Sequence, residues 1–500
     1  MNLLRWIGIA LAAVLFSTLR ALAAWAADRP NVLMIVSDDH AAYVCGAYGN
    51  RQARTPNLDR LAQTGVTFTH AFVNCPMCTP SRQSFLTGRL PHAIGVTHLT
   101  TALPEEPVTL AEALKDQGYA TAVIGKTHFN SDRAHGFDLR LDLGDHQKFL
   151  RQRPPRPVPP GLEVLPVWKP FQDPARIWLN GSYLPYGAFD NDYSGTWFAR
   201  QGQKYLREHT QTPFFLMVSF YEPHSPFRFP IEYRGRFDPA SFDVPKPGPE
   251  DDGQIPEIFR NLTDAEKRNI IAAYYTSTEY MDHNVGRVLD TLEETGLSEN
   301  TLVIYLGDNG YSLGHHGRFE KHTMFEEAVR APLIIRLPGQ ERFDPVAGAL
   351  VEFIDLFPTV MEFCGGTPPR EVEGRSLLPL LKGETNQGRE SVFSEYNDNE
   401  EAMIRTRQYK FIYSTGKRER QDGYKTGLPL PGRIRKLYDL LNDPHEMKNL
   451  AQEEKHQELI NQFENEMRRR IEVSHPLASQ IPSGLALEDA LDYYLTWREE

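Results

Sequence analysis

Four short polar stretches in this chain each come directly after an apolar run, and between them they hold the residue types needed to bind a cation and move protons. Asp38-Asp39-His40 comes after residues 31–36, and Lys126-Thr127-His128 after 121–124. Glu222-Pro223-His224 closes 214–220, and Asp308-Asn309-Gly310 comes after 301–306. Asp38, Asp39, Asp308 and the amide oxygen of Asn309 form a hard, all-oxygen ligand set, which suits calcium or magnesium rather than zinc or copper. The acids would repel one another without a cation, and a cation there would polarise a reacting oxygen and help generate a nucleophile. Singly, each residue has an ordinary use, since an Asp after a strand often caps a turn and a lone His is usually structural. The reading rests on their joint placement.

A fifth stretch is Cys78-Thr79-Pro80-Ser81-Arg82, continued by Gln83-Ser84-Phe85-Leu86-Thr87-Gly88-Arg89. Pro80 suits the first turn of a helix, which puts residue 78 at a helix N-terminus. Free backbone N–H groups and the helix dipole favour an anion or a developing oxyanion there. Arg82 falls one turn on, near the same face. The plain alternative is a structural cysteine before a capped helix.

These residues need a frame that brings them together. The apolar runs at 31–36, 121–124, 214–220, 301–306 and 332–336 read as buried parallel strands. Helices lie between them: one opened by Thr55-Pro56, one by the capping box Thr109-Leu-Ala-Glu112, and a long amphipathic one over 265–296. The pattern predicts an α/β fold, a large mixed, mostly parallel sheet covered by helices on both faces. Ligands bind beyond the carboxyl ends of such strands, which is where the polar stretches fall. The Pro-rich segment 151–160 reads as a surface loop. Beyond about residue 385, short alternating runs at 391–396, 402–405 and 409–413 and an amphipathic stretch at 457–473 predict a small antiparallel sheet with one helix. The expected division is 1–27 leader, 28–384 catalytic domain, 385–475 C-terminal α+β subdomain and 476–500 polar tail.

Composition sets the outer limits. The chain has 500 residues, 40% hydrophobic and 24% charged, as expected of a globular protein with one large core and a smaller companion. A net charge of −12 argues against nucleic acid or anionic membrane as a general partner, so cationic contacts to an anionic substrate must be gathered locally. Residues 1–27 read as a secretory signal, with Arg5, an apolar run over 6–16 and Ala24-Trp25-Ala26. The stretch is short for a membrane span. Its removal takes two arginines and no acid and leaves −14, with a periplasmic or secreted destination and no membrane attachment. The four cysteines, Cys45, Cys75, Cys78 and Cys364, are too few for a disulfide scaffold. Cys75 and Cys78 form C-x-x-C without a second such pair or an H-x-x-x-H, which sets zinc aside.

C-T-P-S-R followed by S-F-L-T-G-R resembles the signature of the type I, formylglycine-dependent sulfatases of the alkaline phosphatase superfamily. The resemblance extends along nearly the whole chain: V-S-D-D at 36–39, T-P-N-L-D-R-L at 55–61, G-K-T-H at 125–128, P-H at 223–224, G-D-N-G at 307–310, L-G-x-H-G at 313–317 with Lys321, and L-Y-D-L-x-N-D-P at 437–444. It implies that Cys78 is oxidised to formylglycine by a formylglycine-generating enzyme during export. It also implies a divalent cation, usually calcium with magnesium as the alternative, on Asp38, Asp39, residue 78, Asp308 and Asn309. Arg82, Lys126, His128, His224 and Lys321 would serve the modified residue and the sulfate. The chemistry suits these residue types. One hydroxyl of a hydrated aldehyde attacks sulfur, and His224, with Lys321 as a possible helper, protonates the leaving oxygen. The second hydroxyl then loses its proton, to His128, and sulfate is expelled.

A sulfated carbohydrate is the expected substrate. The alternatives are choline sulfate, a phosphonate monoester or phosphodiester on the same site, and, from another class, a non-catalytic carbohydrate-binding protein. His40, His98, His135, His316 and Arg330 are weaker candidates for substrate contact, and Cys75 reads as incidental.

Overall fold

Alternate residues of one buried strand, Asn31–Asp38 (β1), serve two different cores. Val32, Met34 and Val36 pack with one set of helices and Leu33 and Ile35 with another, as the two-residue period of a strand dictates. The computed structural model describes residues 29–170, 172–339, 348–420 and 423–497. The leader assigned to residues 1–27 lies outside the described residues. Among the described residues no helix is long and apolar enough to cross a membrane.

Eight further strands precede the C-terminal region: Val66–Thr67 (β2), His70–Phe72 (β3), Ala120–Gly125 (β4), Leu139–Leu141 (β5), Phe214–Pro223 (β6), Thr301–Gly307 (β7), Leu333–Arg336 (β8) and Leu350–Glu352 (β9). β1 and six of these form one seven-stranded sheet in the order β2-β8-β7-β1-β6-β4-β5, while β3 and β9 pair separately. β7, β1, β6, β4 and β5 run parallel. β8 pairs antiparallel to β7, and β2 antiparallel to β8. The run at 332–336 is therefore a strand of the opposite direction to that expected. Apolar content reports burial and is blind to direction.

Helices Pro56–Thr64 (α1), Cys78–Thr87 (α2), Leu110–Asp116 (α3), Ser194–Glu208 (α4), Asp264–Glu294 (α5) and Leu356–Phe363 (α6) cover the sheet. α2, α3 and α6 share a core with Val32, Met34 and Val36; α1, α4 and α5 share the other with Leu33 and Ile35. The Thr109 and Glu112 capping box forms as the sequence predicts, with both reciprocal hydrogen bonds made. α5 departs from its expected amphipathic character and is buried on two sides. Val285, Val288 and Leu292 face the sheet, whereas Ile270, Tyr274 and Tyr280 join an outer aromatic layer with Phe227 and Tyr311.

Four strands form the second sheet: Val392–Tyr396 (β10), Glu401–Arg405 (β11), Tyr409–Ser414 (β12) and Ile434–Asp439 (β13), all antiparallel in sequence order. Gln457–Glu472 (α7) packs on it through Ile460, Phe463, Met467 and Ile471. The stretch expected to be a polar tail contains a helix, Leu487–Leu495 (α8), whose Leu491, Tyr494 and Leu495 enter the same core. Glu488, Asp489 and Asp492 stand between its apolar residues and dilute the hydrophobic signal.

Candidate functional site

β7, β1, β6 and β4 are neighbours, so their carboxyl ends bring Asp308-Asn309, Asp38-Asp39, His224 and Lys126 to one rim. Cys78, at the first position of α2, faces the same place with no side-chain cap on that helix end, which leaves its N–H groups and positive dipole end for the site. Asp38, Asp39, Cys78, Arg82, Lys126, Asp308, Asn309 and Lys321 are all buried. His128 and His224 are only partly buried, and the quarter of the His224 side chain that is exposed (25%) marks the side from which a substrate can enter.

Two left-handed backbones fix the geometry. Asp39 has φ 63° and His128 φ 56°, unusual for non-glycine residues and typical of functional sites. The Asp39 N–H donates to Asp308 Oδ1 at 3.0 Å. The Tyr274 hydroxyl donates to the Asp39 carbonyl and accepts from the Ala41 N–H. Gly125, at the end of β4, has φ 108°, and a Cβ there would sit 1.8 Å from the Ser219 carbonyl oxygen. Only glycine lets β4 and β6 approach so closely just before Lys126.

The charges interlock. Arg82 donates from Nε to Asp308 Oδ2 at 2.7 Å, and from Nη1 to Ser219 Oγ at 2.7 Å and to the Lys126 carbonyl at 2.9 Å. Lys126 pairs with Asp38 Oδ2. Lys321 Nζ donates to Asp39 Oδ1 at 2.5 Å and reaches Cys78 Sγ at 3.1 Å. Burial opposes ionisation of Asp38, but Lys126, His224, Arg82 and Lys321 outweigh it and hold the carboxyl well below the usual range. Burial pushes Asp308 up to about 7, since Arg82 offsets it only in part and Asp38 and Cys78 add to it. Burial likewise raises the Cys78 thiol, yet Lys126, Lys321 and His128 overcome this and bring it well below the ordinary value.

The two histidines are tuned in opposite directions. Burial lowers His224, and Asp39 and Asp38 more than restore it, leaving it raised. Its Nδ1–H donates to the Ser225 carbonyl at 2.8 Å, so Nε2 points to Asp39 Oδ2, 3.7 Å away. Burial and then Lys126 lower His128. The Thr79 hydroxyl donates its proton to the Leu99 carbonyl (2.7 Å), so at 3.1 Å it accepts from His128 Nδ1–H. This assigns the tautomer and frees His128 Nε2 as an acceptor.

A cation fits these residues. Carboxylate oxygens of Asp38, Asp39 and Asp308 lie within 4.8 Å of one another. Asp38 Oδ1 and Asn309 Oδ1 are buried and make no hydrogen bond. Leaving two acceptors unpaired in the interior is costly unless something positive sits between them.

The weaker candidates lie elsewhere. His40 is fully buried, with Nδ1 2.6 Å from the Tyr305 hydroxyl and Nε2 3.0 Å from the Val44 carbonyl, because the chain turns inward after the left-handed Asp39. His316 is buried between Asp251 and the ring of Phe325, and His135 is buried against Phe129. His98 pairs with Asp398 at 2.8 Å, and Arg330 lies 3.5 Å from Glu326. Sequence reasoning missed Thr79, Ser219 and Trp168. Thr79 lies inside the Cys78 motif and Ser219 on a strand interior. The Trp168 ring, which meets His224 edge-on at 6.3 Å, lies just past the Pro-rich loop in a stretch with no motif.

Comparison with known proteins fits this geometry. Residues 30–366 match the Sulfatase family model, and residues 314–473 match the model for the N-sulphoglucosamine sulphohydrolase C-terminal region. The chain belongs to the sulfatase family. It is a sulfuric ester hydrolase. A Delta 4,5-hexuronate-2-O-sulfatase from Bacteroides thetaiotaomicron is 30% identical over 471 residues, covering 88% of this chain and 88% of that protein. An N-acetylglucosamine-6-O-sulfatase from the same organism is 27% identical over 491 residues, 84% of this chain and 82% of that one. The phosphonate monoester hydrolase of Agrobacterium radiobacter superposes with a TM-score of 0.73 at 22% identity, covering 89% of this chain and 96% of its own, and shares the fold.

Proposed function

We propose that this enzyme hydrolyses a sulfate ester of a sulfated carbohydrate, using residue 78 after its conversion from cysteine to formylglycine and a calcium or magnesium ion held by Asp38, Asp39, residue 78, Asp308 and Asn309. The observation that carries the reading is the pair of buried oxygens that accept no hydrogen bond, Asp38 Oδ1 (3.7 Å from Arg82 Nη2) and Asn309 Oδ1, in the same pocket as Cys78 and two lysines. When present, the cation would neutralise the acids and polarise a sulfate oxygen, and the converted side chain would offer a hydroxyl as nucleophile.

The chain's own residues supply the rest. Arg82, locked by Asp308 and Ser219, orients residue 78 and the acids around it. Lys126 and Lys321 offset the negative charge that spreads over the sulfuryl oxygens. His224, whose Nε2 faces Asp39 at the exposed side of the pocket, donates a proton to the leaving oxygen. His128, kept neutral and with Nε2 free, accepts one from residue 78. The names of the two relatives, which act on hexuronate and N-acetylglucosamine sulfates, support a sulfated sugar. The reading has the chain exported to the periplasm or the medium on the strength of the leader-like residues 1–27, and matured by a formylglycine-generating enzyme.

The test is a comparison of kcat/KM on sulfated uronate and glucosamine disaccharides, an aryl sulfate and an aryl phosphonate. Turnover of at least one sulfated sugar, with sulfate favoured over phosphonate, is expected. Preference for the phosphonate would overturn the reading.

A further inference from the structure

Beyond the end of α2 opposite to Cys78 lies a cavity of about 600 Å³ with six arginines in its lining, between that helix end, the 370–375 segment and α7. Two of these arginines have buried acidic partners. Arg389 Nε donates to Asp355 Oδ2 at 3.0 Å, and Arg470 Nη2 donates to Glu352 Oε1 at 2.6 Å. The other four, Arg89, Arg370, Arg375 and Arg469, make no side-chain hydrogen bond or ion pair among the described residues, and Arg89 Nε is buried without any partner. Scarcity of acids does not explain this, since the chain carries 66 acidic residues against 54 basic ones. The lining holds two glutamates, Glu371 and Glu373, the second accepting from the Leu90 N–H at 2.8 Å and the Ser474 hydroxyl at 2.6 Å, against four guanidinium groups with no acidic partner of their own.

We infer that this cavity is a second binding site, for a saccharide segment bearing two or more sulfate or carboxylate groups. The inference rests on the proposed sugar substrate for its choice of ligand. Guanidinium forks match planar or tetrahedral oxyanions with paired hydrogen bonds, and a pocket of this volume holds a ligand of a few rings. The rim also carries Val473, 76% exposed, which suits the apolar face of a sugar ring better than it suits a naked phosphate chain. Arg89 lies just past the C-terminal end of α2 and Cys78 begins it, so the two sites are about 15 Å or more apart at 1.5 Å per residue. One sulfate group cannot occupy both. The cavity therefore holds a different part of a chain, or a second chain, and raises the local concentration of polymeric substrate without touching the reacting bond.

The experiment compares the full chain with its Arg370→Ala/Arg469→Ala variant, both substitutions being at exposed positions. Calorimetric binding of a heparin-derived hexasaccharide is measured at low salt in a Cys78→Ala background, and turnover of an aryl sulfate is measured with Cys78 intact. Loss of two charge-assisted contacts is expected to weaken hexasaccharide binding by about tenfold or more, with aryl sulfate turnover unchanged. Equal hexasaccharide affinity in the two proteins overturns the second site, whatever the turnover. Absence of aryl sulfate and sugar sulfate turnover in the parent overturns the proposed activity instead. Tighter binding of tripolyphosphate than of the hexasaccharide, lost in the variant, overturns the saccharide as ligand.

Discussion

At the residue scale, Lys321 has two jobs: it neutralises Asp39 and it reaches residue 78. Lys321→Ala removes a cation from both. A drop in kcat of about 10²- to 10³-fold is expected, the usual cost of one preorganised electrostatic contact, with KM for an aryl sulfate changed much less. The acids Asp38, Asp39 and Asp308 crowd one another, and burial above all lifts Asp308 to about 7. A chelator should therefore abolish turnover and lower the Tm, and added calcium should restore both. At 100-fold saturation over Kd the ion contributes about 2.7 kcal/mol, and an unchanged Tm after chelation would remove the cation from the account. Most of these residues were legible in the sequence because they sit in short motifs after apolar runs. Thr79 was visible but silent: only the Leu99 carbonyl, distant in sequence, shows that its hydroxyl sets the tautomer of His128. His40 was misplaced for the converse reason. It is adjacent to the acids in sequence, but the backbone turns at Asp39 and takes it into the core.

At the element scale, parallel neighbours explain why residues nearly three hundred positions apart meet. The strand runs were readable from composition, and so was the rim, because a parallel sheet gathers the residues just past each strand at one edge. The direction of β8 was not readable, since direction is set by the connection and the pairing partner, not by the run of Leu and Ile. Nor was the burial of α5 on both sides, because its tyrosines and threonines look polar until the outer aromatic layer covers them. Gly125 tests the strand frame. Gly125→Ala puts a methyl into the Ser219 carbonyl and forces a left-handed backbone on alanine, so β4 and β6 must part and Lys126 must shift. Destabilisation of more than about 1 kcal/mol is expected, together with lost turnover. A variant with wild-type Tm and activity would show that the close approach of the two strands does not position the site.

At the scale of the whole molecule, the second sheet is tied to the catalytic core through a buried histidine pair. His92 is raised by Glu395 despite its burial, while His475 stacks on it at 5.3 Å and lies against Tyr494 and Trp497. Burial, with the neighbouring His92 charge, lowers His475 from 6.5 to about 3. The folded state therefore binds fewer protons at this residue than the unfolded chain does. Stability is lost as pH falls from about 6.5 towards 3, by up to about 1.4 kcal/mol per pH unit. His475→Gln should flatten the fall of Tm between pH 6.5 and 4. An identical acid limb in the variant would show that other groups govern it. This contact was invisible in the sequence, where the last residues looked like a polar tail: the apolar side of α8 emerges only when it meets α7.

The central claim is that residue 78 is a converted cysteine in the active enzyme. The tryptic peptide spanning residues 61–82 contains Cys75 and Cys78 together, so Cys75 serves as an internal control. After denaturation and alkylation of enzyme purified with full activity, its mass spectrum should show one alkylated cysteine at 75 and, at 78, an aldehyde or its hydrate in place of the thiol. Two alkylated cysteines in a fully active preparation would contradict the account.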